Sequence, residues 1–327
     1  MKRGLSKNKI KTITKINIVL AIILVLCSCF YNPNKNDDKL YGNEAEEFSP
    51  TVRGDSNDVH KEQEPYQEEE QPSGEIIEEE LTESEELAFY SDLPYFKEEY
   101  IDKYISYKKQ NPDLPYEKVI TYINIGLDYD FYESINTIDN GHDITVLVNK
   151  YNKLPDHFKP ELVQIDSSMC VQGVGAQYLQ KPALEAFVKM HEDAKQLGLN
   201  IKAYGTYRSI EVQHWIWNNA VNSGRTVEDV DSLNARGGHS EHHTGLAIDV
   251  IINNYDVEQT EEFQWYSENA HKYGFIIRYP KGKEYITGYK YEPWHLRYVG
   301  VEIASEIYDR DITYEEYYVQ VLQPSIP

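Results

Sequence analysis

The chain has 327 residues and carries 55 Asp and Glu against 32 Lys and Arg, a formal net charge of −23. This length could hold two domains or one domain with tails, and the uneven distribution of charge favours the second organisation. An acidic chain without a basic face to neutralise phosphates excludes nucleic acid as a partner.

Residues 1–29 predict an export signal of the lipoprotein type. A basic start precedes the apolar run Ile18–Leu26, which is shorter than the about 20 residues that a membrane-spanning helix needs. The run leads into LCSC, which resembles the lipobox of bacterial lipoproteins. The resemblance implies cleavage before Cys29 and lipidation of that cysteine, with the membrane as a partner through the lipid anchor. We therefore expect a lipoprotein of the cell envelope, on the outer face of the cytoplasmic membrane; the alternative is an uncleaved signal anchor.

Residues 30–86 contain 19 acidic and 4 basic residues, so this segment holds −15 of the chain's −23. Such a segment buries too little apolar surface to offset the entropy of ordering. It is predicted to be a disordered acidic linker.

Regular apolar spacing begins at about Leu87 and predicts helices and strands in alternation. A helix is expected in residues 98–113, ending before Pro112, and a strand in residues 143–155 with Ile144, Val146 and Val148 on one face. A further helix is expected in residues 181–198, closed by Gly198.

The second half of the chain continues this pattern. The strand LNIKAYGTY leads into a helix for which Ser209 is the expected N-cap. The strand GLAIDV, another helix and a hairpin-like segment of residues 275–300 follow. Short connections between these strands predict an α+β fold in which a central antiparallel sheet is flanked by helices.

Two segments could together form a metal site. In GLAIDV both faces are mostly apolar, and an ionised Asp249 is costly there unless it is paired or binds a metal. A later histidine, His295, begins a strand after EPW. Two imidazoles and one carboxylate form a zinc site with its fourth position open to water. Glu292, three residues before His295, could act as general base.

The residues alone leave open which histidine of GGHSEHHTG is the second imidazole ligand. The candidates are His239, His242 and His243.

Three ordered motifs then identify a family resemblance that extends over residues 105–317. SEHHTGLAID matches the pattern S-x-H-x-x-G-x-A-x-D, and it lies between YRSIEVQ and EPWHLRYVG. Together they resemble the VanY-like D-alanyl-D-alanine carboxypeptidases, zinc peptidase family M15, which includes the LdcB-type L,D-carboxypeptidases. The resemblance implies a Zn²⁺ site made of His242, Asp249 and His295, with Glu292 as the catalytic base.

The resemblance also implies residues that contact substrate. Arg208 is expected to assist the polarised carbonyl or to bind the substrate's terminal carboxylate, because its guanidinium is planar and always charged. The other expected substrate contacts are Gln213, Ser240, Tyr279 and Trp294.

We therefore expect a zinc-dependent carboxypeptidase, a monomeric hydrolase that releases C-terminal D-alanine from peptidoglycan stem peptides. Residues 141–327 are the predicted catalytic domain, and residues 87–140 are its predicted helical N-terminal extension. D,D- and L,D-specificity both remain open. The alternatives are a peptidoglycan cross-bridge endopeptidase and a non-catalytic wall-binding module with structural zinc.

Overall fold

The computed structural model describes residues 81–325, so the predicted export signal and most of the predicted acidic linker lie outside the described residues. The predicted end of the disordered linker at residue 86 is wrong, because Glu83–Ala88 forms a helix that Thr82 caps. Within them the helices are α1 (Glu83–Ala88), α2 (Ile101–Gln110), α3 (Tyr116–Ile125), α4 (Lys181–Gln196), α5 (Ile210–Asn222), α6 (Val227–Asp231), α7 (Glu261–Asn269), α8 (Glu284–Thr287), α9 (Val301–Arg310) and α10 (Tyr314–Tyr317). The strands are β1 (Asn136–Thr137), β2 (Asn152–Lys153), β3 (Val163–Gln164), β4 (Tyr178–Leu179), β5 (Ala203–Gly205), β6 (Ala247–Val250), β7 (Phe275–Ile277) and β8 (His295–Tyr298). None of the helices in this part of the chain combines the length and apolar character needed to cross a membrane.

The largest sheet has four strands in the order β5-β6-β8-β7, and every neighbouring pair is antiparallel. β6 and β8 occupy the two central positions, and all four residues of β6 are buried. The predicted mixture of helices with sheet is confirmed. β8 begins at His295, as the pattern around EPWH predicts.

The main hydrophobic core lies against this sheet. Apolar side chains of β6 and β8, such as Ile248 and Leu296, pack in one cluster with Phe187 and Met190 of α4. Each such side chain contributes roughly 1.5–3 kcal/mol when it is fully buried. α5 starts as expected, since the Ser209 hydroxyl accepts a hydrogen bond from the Val212 N–H. The core and this cap hold the ends of β5, β6 and β8 in fixed relative positions.

The strand predicted in residues 143–155 is mostly wrong, because only Asn152–Lys153 forms a strand. Val146 and Val148 are buried as the alternation indicates, but their segment has no neighbouring strand. Instead the Arg297 guanidinium donates to the carbonyls of Ile144 and Val146, at 3.0 and 2.7 Å. A buried carbonyl needs a partner, and here a side chain takes the place of a sheet ladder.

The N-terminal helices form their own small core and also contact the rest of the protein. Tyr104 and Tyr116 are fully buried in that core. The Tyr122 hydroxyl lies 2.9 Å from that of Tyr285, and Lys118 forms an ion pair with Glu316 at 2.6 Å. The boundary predicted at residue 140 stays a prediction.

Candidate metal centre

The two central strands bring Asp249 and His295 together. These residues face each other directly in the antiparallel register of β6 and β8, an arrangement that puts side chains on the same face of a sheet. Gly205, on β5, is paired with Asp249 on the other side. A Cβ at this glycine would lie 3.0 Å from Asp249 Oδ2, so the absence of a side chain leaves room around that carboxylate.

A short turn supplies His242. The turn is a 3₁₀ helix, Glu241–Thr244, and it ends at Gly245, whose φ is +70°. The left-handed conformation suits glycine, and it lets the chain reverse from the turn into β6. The His242 Nδ1–H donates to the Thr206 carbonyl at 2.7 Å. Since Nδ1 carries the proton, Nε2 has its lone pair available.

These three side chains form a group suited to one cation. Their ligand atoms all lie within 4.8 Å of one another, and all three residues are buried. His242 Nε2 lies 3.5 Å from Asp249 Oδ2, and His295 Nδ1 lies 3.1 Å from Asp249 Oδ1. Two imidazoles with one carboxylate are a donor set that zinc takes in catalytic sites. The residues therefore fit Zn²⁺.

The other two histidines of the motif form hydrogen bonds with backbone groups. His243 donates from Nδ1 to the Arg208 carbonyl at 2.6 Å and accepts from the Gly238 N–H through Nε2 at 3.1 Å. Both of its ring nitrogens are therefore in use. His239 donates from Nδ1 to the Asn149 carbonyl at 2.8 Å. Burial lowers the pKa of each of these imidazoles to about 4, so both are neutral.

Glu292 lies beside the group of three. Its Oε2 is 3.8 Å from His295 Nδ1, and the residue is 8% exposed. Burial raises the pKa of the Glu292 carboxyl to about 8. A carboxyl with a pKa near neutrality both accepts and returns a proton readily. Its position and its environment are suited to a general base and acid.

Within the group, the protonation of Asp249 and that of His295 depend on each other. Burial disfavours an ionised carboxylate, yet His242 and His295 hold the pKa of the Asp249 carboxyl well below its usual range. Burial likewise lowers the pKa of the His295 imidazole, but hydrogen bonds to Asp249 and Glu241 outweigh this and raise it to about 9. Metal binding requires a neutral imidazole and so displaces such a proton.

Arg208 lies in the segment between β5 and α5, as the sequence predicts. Its Nη1 donates to the Gln213 side-chain oxygen at 2.7 Å. Gln213 is buried, and its amide nitrogen donates to the Ala235 carbonyl at 2.6 Å. Gln213 thus fixes the direction of the guanidinium, and its own contact with substrate stays a prediction.

The remaining predicted substrate contacts are all buried. The Tyr279 ring packs on His295 with 5.0 Å between centroids, and the Trp294 ring meets that of Tyr255 at 5.3 Å. Ser240 immediately precedes the turn that carries His242. The structure places Tyr279 next to the group of three, and the substrate roles of Tyr279, Trp294 and Ser240 stay predictions.

Four charged residues behind this group were missed by the sequence analysis. Glu241 accepts from Arg278 Nε at 2.7 Å and from Arg297 Nη1 at 2.8 Å, and Arg278 also pairs with Glu315 at 2.6 Å. Both arginines are fully buried. A signal was available, because FIIR puts an arginine at the end of an apolar strand and HLR puts one within a buried strand, where each needs an acidic partner.

This chain is similar to known proteins over a range that includes the site. The family model VanY, D-alanyl-D-alanine carboxypeptidase, matches residues 176–301. The chain is 41% identical over 197 residues to "Putative carboxypeptidase YodJ" of Bacillus subtilis (strain 168), covering 58% of this chain and 72% of that protein. It is 32% identical over 180 residues to a D-alanyl-D-alanine carboxypeptidase of Enterococcus faecalis (strain ATCC 700802 / V583), covering 53% of this chain and 64% of that protein.

A solved structure also matches. The LdcB LD-carboxypeptidase superposes with a TM-score of 0.54 and 40% identity, over 58% of this chain and 92% of that chain. The range matched by the family model contains the group of three, Glu292 and Arg208.

Proposed function

We propose, since this chain belongs to the VanY family of D-alanyl-D-alanine carboxypeptidases, that it is a zinc-dependent carboxypeptidase which releases C-terminal D-alanine from peptidoglycan stem peptides. One observation carries the proposal. The ligand atoms of His242, Asp249 and His295 lie within 4.8 Å of one another, and the Glu292 carboxylate lies 3.8 Å from His295 Nδ1. This is a three-ligand site with a general base at its side.

When bound, zinc would polarise the scissile carbonyl and lower the pKa of a water at its open position. Glu292 takes the proton from the attacking water and then donates it to the amine of the departing D-alanine. Arg208, oriented by Gln213, offers N–H donors to the developing oxyanion or to the terminal carboxylate of the substrate. Burial of the group keeps these charges in a low-dielectric surrounding, where they act more strongly.

The proposal is tested by incubating the full-length protein with synthetic stem peptides and following release of D-alanine by mass spectrometry, with and without a chelator. Release from peptides that end in D-Ala-D-Ala indicates D,D-activity, and release from peptides that end in a single D-Ala indicates L,D-activity. No release from either peptide, by protein that holds zinc, would contradict the proposal.

Substitution of Arg208 by alanine is expected to lower kcat/KM by about 10²–10³-fold, the typical effect of losing one oriented donor. The measurement is the initial rate of D-alanine release over a range of peptide concentrations. Arg225 provides a matched control, because its hydrogen bonds within residues 81–325 go to Asp229 at the surface, at 2.7 and 3.1 Å, and such surface pairs contribute little. Equal rates for R208A and R225A would remove Arg208 from the mechanism.

We also propose that the protein is a lipoprotein of the cell envelope, anchored through Cys29. The apolar run followed by LCSC supports this. The variant C29A is expected to keep its signal segment or to leave the membrane fraction. A C29A protein found in membranes at the processed size of the wild type would contradict the anchor.

Experiments distinguish the proposed carboxypeptidase from two alternative functions. A cross-bridge endopeptidase would cut cross-linked muropeptides faster than linear stem peptides. A wall-binding module with structural zinc would bind muropeptides without hydrolysing them; structural sites usually have four protein ligands, whereas the group found within residues 81–325 has three.

A further inference from the structure

Behind the metal ligands lies a chain of alternating buried charges. Glu315 pairs with Arg278, Arg278 with Glu241, and Glu241 with Arg297. The side chains of all four are at most 1% exposed. Buried charges are costly unless they are fully paired, and here two acids balance two bases. This arrangement fixes the Glu241 carboxylate in one position.

One oxygen of Glu241 is left to face a metal ligand. Oε1 accepts from both arginines, at 2.7 and 2.8 Å. Oε2 lies 3.4 Å from His295 Nε2. Nδ1 in turn lies 3.1 Å from Asp249 Oδ1, so without metal each ring nitrogen faces a carboxylate that only accepts. When a metal takes the lone pair of Nδ1, Nε2 keeps its proton and donates it to Glu241. The tautomer that His295 needs as a metal ligand, with its proton on Nε2, is therefore the one that Glu241 stabilises.

We infer that Glu241 is a positioning residue for the metal: it holds the His295 ring with Nδ1 directed into the site, and the arginine pair holds Glu241. The inference rests on the proposed function, since it concerns the same metal centre. An acceptor on the second nitrogen of a ligating histidine fixes its orientation and raises its basicity, and losing one typically costs 10–100-fold in metal affinity.

The chain provides a matched control for this role. Glu315 is also buried and also accepts from Arg278, through two hydrogen bonds of 2.8 and 2.6 Å. It also accepts from the Asn149 amide at 3.3 Å, and none of these hydrogen bonds within residues 81–325 involves a metal ligand. Replacing either acid by glutamine leaves Arg278 short of an ionised partner, but only E241Q changes the acceptor of His295.

The experiment compares full-length wild type, E241Q and E315Q after removal of metal. Zinc affinity is measured by competition with a chromophoric chelator, the ligand field by the visible absorption of bound Co²⁺, and stability by the thermal midpoint without metal. We expect both variants to lose thermal stability. E241Q is expected to bind zinc about 10–100-fold more weakly and to show a shifted Co²⁺ spectrum, while E315Q keeps the spectrum and the zinc affinity of wild type.

Equal losses of affinity in E241Q and E315Q would overturn the inference, because the network would then act only through stability. Unchanged affinity in E241Q would overturn it as well. If E241Q is not recovered folded, E241D is measured in the same way, and a wild-type affinity and spectrum there overturn it. A wild-type protein that binds no zinc would instead contradict the proposed function.

Discussion

Replacing Glu292 by glutamine is expected to lower kcat for D-alanine release by about 10²–10⁴-fold, the usual contribution of a general acid–base group. Glutamine has nearly the same shape, but its amide cannot accept the proton of the attacking water. Zinc content should stay at that of wild type, because Glu292 is not one of the three side chains in the metal-binding group. The measurements are the rate of D-alanine release and the zinc content of the same preparation.

Glu161 is a suitable control for the loss of a carboxylate, since it is exposed. E161Q should have the activity of wild type. An E292Q protein that is folded, holds zinc and retains more than about a tenth of the wild-type kcat would exclude Glu292 as the base.

Replacing His242 by alanine is expected to weaken zinc binding on the order of 10²–10³-fold, because four-ligand structural sites bind zinc with roughly 10–16 kcal/mol, or about 2.5–4 kcal/mol per ligand. Activity should fall with metal content. The affinity is measured by chelator competition, and zinc content by elemental analysis.

The neighbouring His243 is the matched control, since it is equally buried but uses both ring nitrogens on backbone groups. H243A loses two hydrogen bonds, each contributing about 1 kcal/mol net, and so should unfold at lower temperature. Below its unfolding transition it should still hold one zinc ion. Loss of zinc in H243A with retention in H242A would show that His243, and not His242, is the zinc ligand.

The strand positions of Asp249 and His295 could be predicted from the sequence because they depend on local alternation. Asp249 is a charged residue in a strand whose two faces are otherwise apolar, and His295 begins a later strand, shortly after Pro293. The cross-strand register then brings them face to face. Local pattern alone does not distinguish His242 from His243. The two rings point in different directions because the 3₁₀ turn separates them. After β5, the His242 ring donates to the Thr206 carbonyl and the His243 ring to the Arg208 carbonyl.

The features that were missed depend on contacts between distant parts of the chain. The buried Glu241 accepts hydrogen bonds from Arg278 and Arg297, which lie 37 and 56 positions later in the chain. Local spacing in the sequence does not indicate such a pairing. The strand expected at Ile144 to Val148 was wrong for the same reason. Val146 and Val148 are buried as expected, but Leu147 between them is buried as well. Arg297, more than 150 positions away, takes two carbonyls that a neighbouring strand would otherwise bind.

The central claim is that His242, Asp249 and His295 bind one zinc ion and leave it an open position beside Glu292. X-ray absorption at the zinc edge of the purified full-length protein tests this most directly. The predicted result is one zinc per chain with only nitrogen and oxygen neighbours at about 2.0–2.2 Å, two of them imidazoles. Well-folded protein without stoichiometric zinc, or zinc enclosed by four protein side chains, would contradict it.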